Sequence, residues 1–164
     1  DGLDSKSTMG PLVADRRLEV MEDFISDAIS SGGEVISGGG RGQSPGSFFE
    51  PTLIRDVPDT AKIMIEEPFG PVAPSASFSS IDEIIERANS LPFGLASYAF
   101  TSNPRTSQIL KSEIESGMLA INSMHIHSVE TPFGGLKHSG YGYEGSIEGL
   151  EAFLVTKYSS EIYT

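Results

Sequence analysis

From Val72 to Asn122 the chain alternates between strand-like and helix-like stretches, and this alternation constrains the fold more than any other feature. Val72 to Phe78 reads as extended. Ser80 and Glu83, three residues apart, predict a capping box ahead of the helical residues Ile84, Ile85 and Ala88. Leu95 to Thr101 reads as a buried strand, and Asn103-Pro104 opens a helix, with proline at its first position, that runs to Gly117. Met118 to Asn122 is a further short strand. Strand, helix, strand, helix, strand at this spacing predicts parallel crossovers, hence an α/β fold whose sheet is flanked by helices.

The flanking segments fit that plan. Asp15 is placed to cap a helix over Arg16–Ser30, with Leu18, Met21, Ile25, Ala28 and Ile29 on one face and Gly32-Gly33 as the stop. A short strand near Glu34-Val35-Ile36, a Gly-rich hairpin loop from Gly38 to Gly46 and an extended stretch from Phe48 to Ile54 follow. Beyond Asn122 come a Gly-rich stretch from Gly134 to Gly145, a short helix around Ser146–Leu150 and a closing strand, Ala152 to Tyr158. There is no internal repeat and no linker.

With 164 residues, the chain can bury about two-thirds of the surface it exposes when unfolded. Its net charge of −12 repels phosphate backbones and anionic lipid, which argues against nucleic-acid and membrane partners. No apolar run approaches the roughly 20 residues of a membrane span, and Asp1 to Lys6 lacks the pattern of a signal peptide. The absence of cysteine removes disulfides and thiolate metal sites and suits a cytoplasmic setting. The chain starts at Asp1 without methionine, in what reads as mid-loop, as a piece of a longer protein would.

Among candidate motifs, Glu67-Pro68-Phe69-Gly70-Pro71 stands out. Two prolines fix φ and Gly70 permits a tight bend, so a carboxylate and an aromatic ring are held on a stiff loop. Gly140-Tyr141-Gly142-Tyr143-Glu144-Gly145 satisfies the spacing of a dinucleotide-binding turn. The preceding Gly135 to Ser139 cannot form the buried strand such a turn requires, so a phosphate site is rejected. His125 and His127 alternate as metal ligands can, but no third ligand accompanies them, and no metal is expected. Glu66 and Glu67 are adjacent and would point apart in an extended segment, which removes a carboxylate-pair hydrolase.

The loop is one member of an ordered series: Met9-Gly10-Pro11-Leu12, Gly32-Gly33-Glu34, Phe49-Glu50-Pro51-Thr52, Glu67 to Val72, Ala88-Asn89, Phe93-Gly94-Leu95-Ala96, Ile121-Asn122, Pro132-Phe133-Gly134-Gly135-Leu136-Lys137, Ser139-Gly140 and Glu144-Gly145. Taken together the series resembles the C-terminal part of the catalytic domain of NAD(P)-dependent aldehyde dehydrogenases. The likeness covers essentially the whole chain. It implies a partial catalytic domain over 1–151 and an oligomerisation strand and tail over 152–164.

The resemblance assigns roles. Glu67 would accept the nicotinamide-ribose hydroxyls of NAD or NADP, and Phe69 would pack near the nicotinamide ring. Phe133 would wall the aldehyde tunnel. Glu144 would have a supporting catalytic role in proton movement or with structural water, or would be a structural anchor. Asn122 would tie down the loop behind it. Gly94 to Tyr98, Ser128-Val129-Glu130 and Glu144-Gly145-Ser146 look most like succinate-semialdehyde dehydrogenases. There Ser128 matches a substrate-carboxylate position. His127 replaces a common serine, and with His125 is a specificity residue or a plain loop residue. Tyr143 stands where an arginine is usual.

In that family a cysteine thiolate attacks the aldehyde, hydride passes to the cofactor and water hydrolyses the thioester. This chain has no cysteine. The nucleophile, the general base and the Rossmann-like domain would belong to a remaining N-terminal part of a parent enzyme, and the chain alone would be inactive. The last strand implies a homo-oligomer. The competing expectation is a non-catalytic orphan module used for assembly or ligand binding. The missing thiol favours the module, and the paired Glu67 and Phe69 favour the enzyme.

Overall fold

The computed structural model describes residues 2–163, so Asp1 of the opening segment and Thr164 of the tail lie outside it. The chain divides into two compact units, residues 2–78 and 79–163 as described. The class is α/β with mixed sheets.

In the first unit, helix α1 (Arg16–Ser30) lies on a three-stranded sheet of β1 (Glu34–Ser37), β2 (Thr52–Arg55) and β3 (Val72–Pro74), ordered β1-β2-β3. The buried face of α1 carries Leu18, Met21, Phe24, Ile25 and Ala28. Ile29, expected there, is 51% exposed. At 100° per residue it lies roughly 75° from the centre of the stripe on one flank, whereas Phe24 lies roughly 65° from it on the other. Asp15 does not cap the helix with its side chain. Its carboxylate instead accepts from the Ser47 hydroxyl at 2.5 Å. Gly32, at φ +109°, turns the chain out of α1, and the Gly33 amide donates to Ala28 O.

β1 and β2 are antiparallel with a bulge between Val35 and Ser37, and the Gly-rich loop joins them as the predicted hairpin. Its sides are tied by Gly42 N–H to Phe48 O (2.8 Å) and Glu50 N–H to Gly40 O (2.9 Å). A helix unforeseen in the sequence, α2 (Lys62–Ile65), separates β2 from β3, which pair in parallel. It spans four residues, too few for a periodic signal, and its N-terminal amide at Lys62 donates to Asp27 of α1 at 2.7 Å. β3 ends at Pro74, short of the expected Phe78, although the Ser75 amide still donates to Ile54 O (2.8 Å) and Ser75 O accepts from the Val57 amide (3.1 Å).

The second unit contains α3 (Ile81–Asn89), β4 (Phe93–Gly94), β5 (Ala96–Ala99), α4 (Pro104–Glu113), β6 (Met118–Ile121), β7 (Leu136–Lys137) and α5 (Ser146–Glu151). Ser80 Oγ caps α3 by accepting from the Glu83 amide at 3.1 Å. The Glu83 carboxylate returns to the Ser79 amide and hydroxyl, one residue before the position a regular box uses. Asn103 caps α4, which ends at Glu113, short of Gly117. β5–α4–β6 is the predicted parallel crossover, in register Ala96↔Met118 to Ala99↔Ile121.

Three expectations change here. The alternation beginning at Val72 does not form one sheet, because β3 is paired with β2 and the parallel connection reaching β3 runs through α2. β5 is not buried, since among the described residues it pairs with β6 alone and Tyr98 is 44% exposed. Ala152 to Tyr158 is not a strand. It pairs with no strand among the described residues, and Phe153 and Val155 are 88% and 93% exposed. A strand exists only against a partner, and local sequence does not supply one.

Candidate functional site

The loop after α2 presents the predicted carboxylate and aromatic ring from the first unit. It is held at both ends: the Glu66 amide donates to Lys62 O (2.7 Å), and Pro71 O accepts from the Thr52 amide of β2 (2.8 Å). Its middle rests on α1. The Arg17 guanidinium donates to the Pro68 carbonyl, and a Cβ at Gly70 would overlap Met21 Sδ. Gly70 thus lets the loop approach the Met21 thioether, which would have to shift for any larger residue. The left-handed conformation falls on Phe69 instead, at φ +46°. That geometry disfavours a side-chain-bearing residue. Phe69 nevertheless stands 76% exposed, and Glu67 is exposed with no hydrogen bond to its carboxylate among the described residues.

In the second unit, His125, His127 and Ser128 line one open cavity of about 370 Å³, with Thr131, Pro132 and the β6 residues Met118 to Ala120. Phe133 and Glu144 line another of about 200 Å³, beside Leu95 and the Ser139–Tyr143 stretch. The His127 ring stands edge-on to Phe133, with centroids 5.5 Å apart. Phe133 and Glu144 exchange both backbone hydrogen bonds, each 2.8 Å. The four expected substrate residues and Glu144 are thus linked through Phe133 on this unit. The neighbouring Ser128 hydroxyl, with the Glu130 amide, holds the Glu130 carboxyl below its ordinary value.

Several side chains act on the frame. Asn122, at φ +57°, exchanges two 2.8 Å hydrogen bonds between its amide and the Thr101 backbone, tying down the loop after β5. His138, for which the sequence suggested no partner, meets Phe93 edge-on at 6.1 Å. Lys137 Nζ donates to Asn89 O and Leu91 O at 2.9 and 3.2 Å and pairs with Glu115 at 2.6 Å. The Asn89 side chain bridges Glu113 O and the Glu115 amide. The structural roles of Lys137 and Asn89 are not readable in sequence, because their partners lie 22 to 48 positions away. The glycine turn Gly140–Gly145 follows β7, two residues long and not buried. No cluster of three or more metal-ligating side chains occurs among the described residues, and no helix there is long and apolar enough to cross a membrane.

The chain belongs to the aldehyde dehydrogenase family, whose profile it matches over residues 1–159. It is 43% identical to a probable NADP(+) succinate-semialdehyde dehydrogenase of Sinorhizobium fredii, over 96% of this chain and 32% of that protein. It is 41% identical to the 3-sulfolactaldehyde dehydrogenase of Pseudomonas putida, over 96% of this chain and 32% of that protein. The crystal structure of succinate-semialdehyde dehydrogenase from Burkholderia pseudomallei superposes with a TM-score of 0.90 at 36% identity, over 94% of this chain and 32% of that one. The chain thus spans about a third of the length of the relatives it matches.

Proposed function

We propose that this chain supplies the nicotinamide-ribose contact and the aldehyde-tail contact of an NAD(P)-dependent aldehyde dehydrogenase acting on succinic or a related semialdehyde. The observation that carries the reading is the Phe69 loop. An aromatic residue held in a disfavoured left-handed conformation, exposed beside an uncommitted Glu67 carboxylate, has no packing purpose within its unit. The carboxylate suits two vicinal hydroxyls, and the ring suits a flat heterocycle. When bound, the cofactor accepts the hydride of the oxidation. Glu67 holds the ribose so that the ring is oriented for that transfer.

On the substrate side, imidazole N–H groups of His125 and His127 are donors for the distal anion of a semialdehyde, and Phe133 excludes water beside them. Ser128 joins them from the same cavity. Glu144 supports this wall through its backbone exchange with Phe133. The thiolate, the general base and the nucleotide-binding domain come from further polypeptide, since the chain has no cysteine. The chain is therefore inactive alone, and residues 152–164 associate with a second subunit.

A chimaera tests this: the Sinorhizobium fredii relative with its matching third replaced by this chain. The chimaera is expected to reduce NADP with succinic semialdehyde, and Glu67→Gln to lower kcat/KM about 10- to 100-fold, as loss of a charge-assisted hydrogen bond does. Turnover by the isolated chain, or a folded chimaera indifferent to Glu67→Gln, overturns the reading. The second result moves the orphan binding module to the front.

A further inference from the structure

We propose that Arg17 is the positioning residue of the Glu67/Phe69 pair, holding the peptide plane from which Phe69 departs. This rests on the functional reading above. Arg17 and Met21 are one turn apart, hence on one face of α1. They engage alternate residues of the loop: the guanidinium takes the Pro68 carbonyl, and the Met21 thioether fills the space a side chain at Gly70 would need. Phe69, between them, is the residue at φ +46°. Flanking prolines restrict φ at positions 68 and 71, so the remaining freedom of the loop lies in the Pro68–Phe69 peptide, in Phe69 itself and in Gly70, which packs on Met21. The clamp removes that freedom. Without it, Phe69 relaxes toward the ordinary extended region, and the peptide rotation redirects Glu67 and the ring together.

The bond is not an incidental surface contact. Arg17 is part-buried while its neighbour Arg16 is exposed, and its guanidinium reaches 51 positions along the chain to a backbone carbonyl. It does so in a chain with 23 acidic side chains, where a carboxylate partner would be the default for a surface arginine. A planar guanidinium suits this task because its donors are fixed in one plane, so it sets orientation as well as distance.

The test compares Arg17→Met, which keeps the stem and loses the donors, with Arg17→Lys, which keeps a donor and the charge. In the isolated 164-residue chain, hydrogen exchange at the Val72 amide, which donates to Gly70 O, is expected to accelerate on the order of tenfold in Arg17→Met, with the β1–β2 amides unchanged. In the chimaera, Arg17→Met is expected to raise the cofactor KM and lower kcat while the aldehyde KM holds, and Arg17→Lys to recover most of the loss. Combined with Glu67→Gln, the Arg17→Met effect should shrink about threefold or more, because both act on one contact. Uniform exchange acceleration, additive effects, or an unmoved cofactor KM overturn the proposal. A Glu67-dependent chimaera indifferent to Arg17→Met overturns it alone. A chimaera indifferent to Glu67→Gln overturns the functional reading and this one with it.

Discussion

The two units stabilise themselves by different means. In the first, α1 and the three-stranded sheet close over a continuous core of Met21, Phe24, Ile54, Val57, Ile63 and their neighbours. In the second, Leu110, Met118 and Ala120 are the buried hydrophobic residues among those described, and α3 buries none. Order there comes from backbone crowding and polar ties: Gly117 against Gly134 O, Lys137 on two carbonyls, Asn89 on α4's end. A unit held by its core presents a rigid exposed loop, whereas a unit held by ties presents a substrate wall that can vary loop by loop.

The sharpest way to break this contrast is Met21→Ala. Its side chain is fully buried and supports both the core and Gly70, so a loss of about 2–5 kcal/mol is expected in urea unfolding of the first unit. A loss under about 1 kcal/mol would mean that the core does not carry that unit. Next comes Gly117→Ala, whose Cβ would run into the Gly134 carbonyl. It should cost about 1–3 kcal/mol, read as a fall in the melting of the second unit while exchange in β1–β2 stays unchanged. Lys137→Met, which strands two carbonyls, should cost about 1–2 kcal/mol in the same assay. An innocuous Lys137→Met would show that crowding alone orders the second unit.

The smallest effect is a dependence on pH. Hydrogen bonds from the Ser79 hydroxyl and amide hold the Glu83 carboxyl below its ordinary value against a weaker opposing desolvation, with a still smaller contribution from Arg87. A lowered folded-state value stabilises the folded form above the unfolded glutamate range, and that support fades as pH falls through the folded value. Helical signal from the second unit should therefore weaken slightly toward acid, and Glu83→Gln should flatten that slope. An unchanged slope would remove Glu83 from the tie network.

Much of the site was readable because the loop residues are unusual in themselves. A carboxylate just before two prolines that flank an aromatic residue announces a stiff loop, and α2 and β3 frame that loop. The His127–Phe133 contact and the clustering of Ser128 with His125 follow from one loop folding on itself, a short-range event. The burial of β5 was misread because an apolar run does not reveal how many neighbours it will have.

Sequence by itself determined what is local: the span of α1, the capping of α3 and α4, the hairpin, the parallel β5–α4–β6 connection, and family membership through ordered glycines and prolines. Each depends on periodicity or on residues within one turn. Tertiary structure alone decided that Asp27 would cap α2, that Gly70 would serve Met21, that Phe69 would take the left-handed turn, and that Arg17 would hold Pro68. Those outcomes join residues 35 to 51 positions apart, and no local preference specifies a partner that far along the chain.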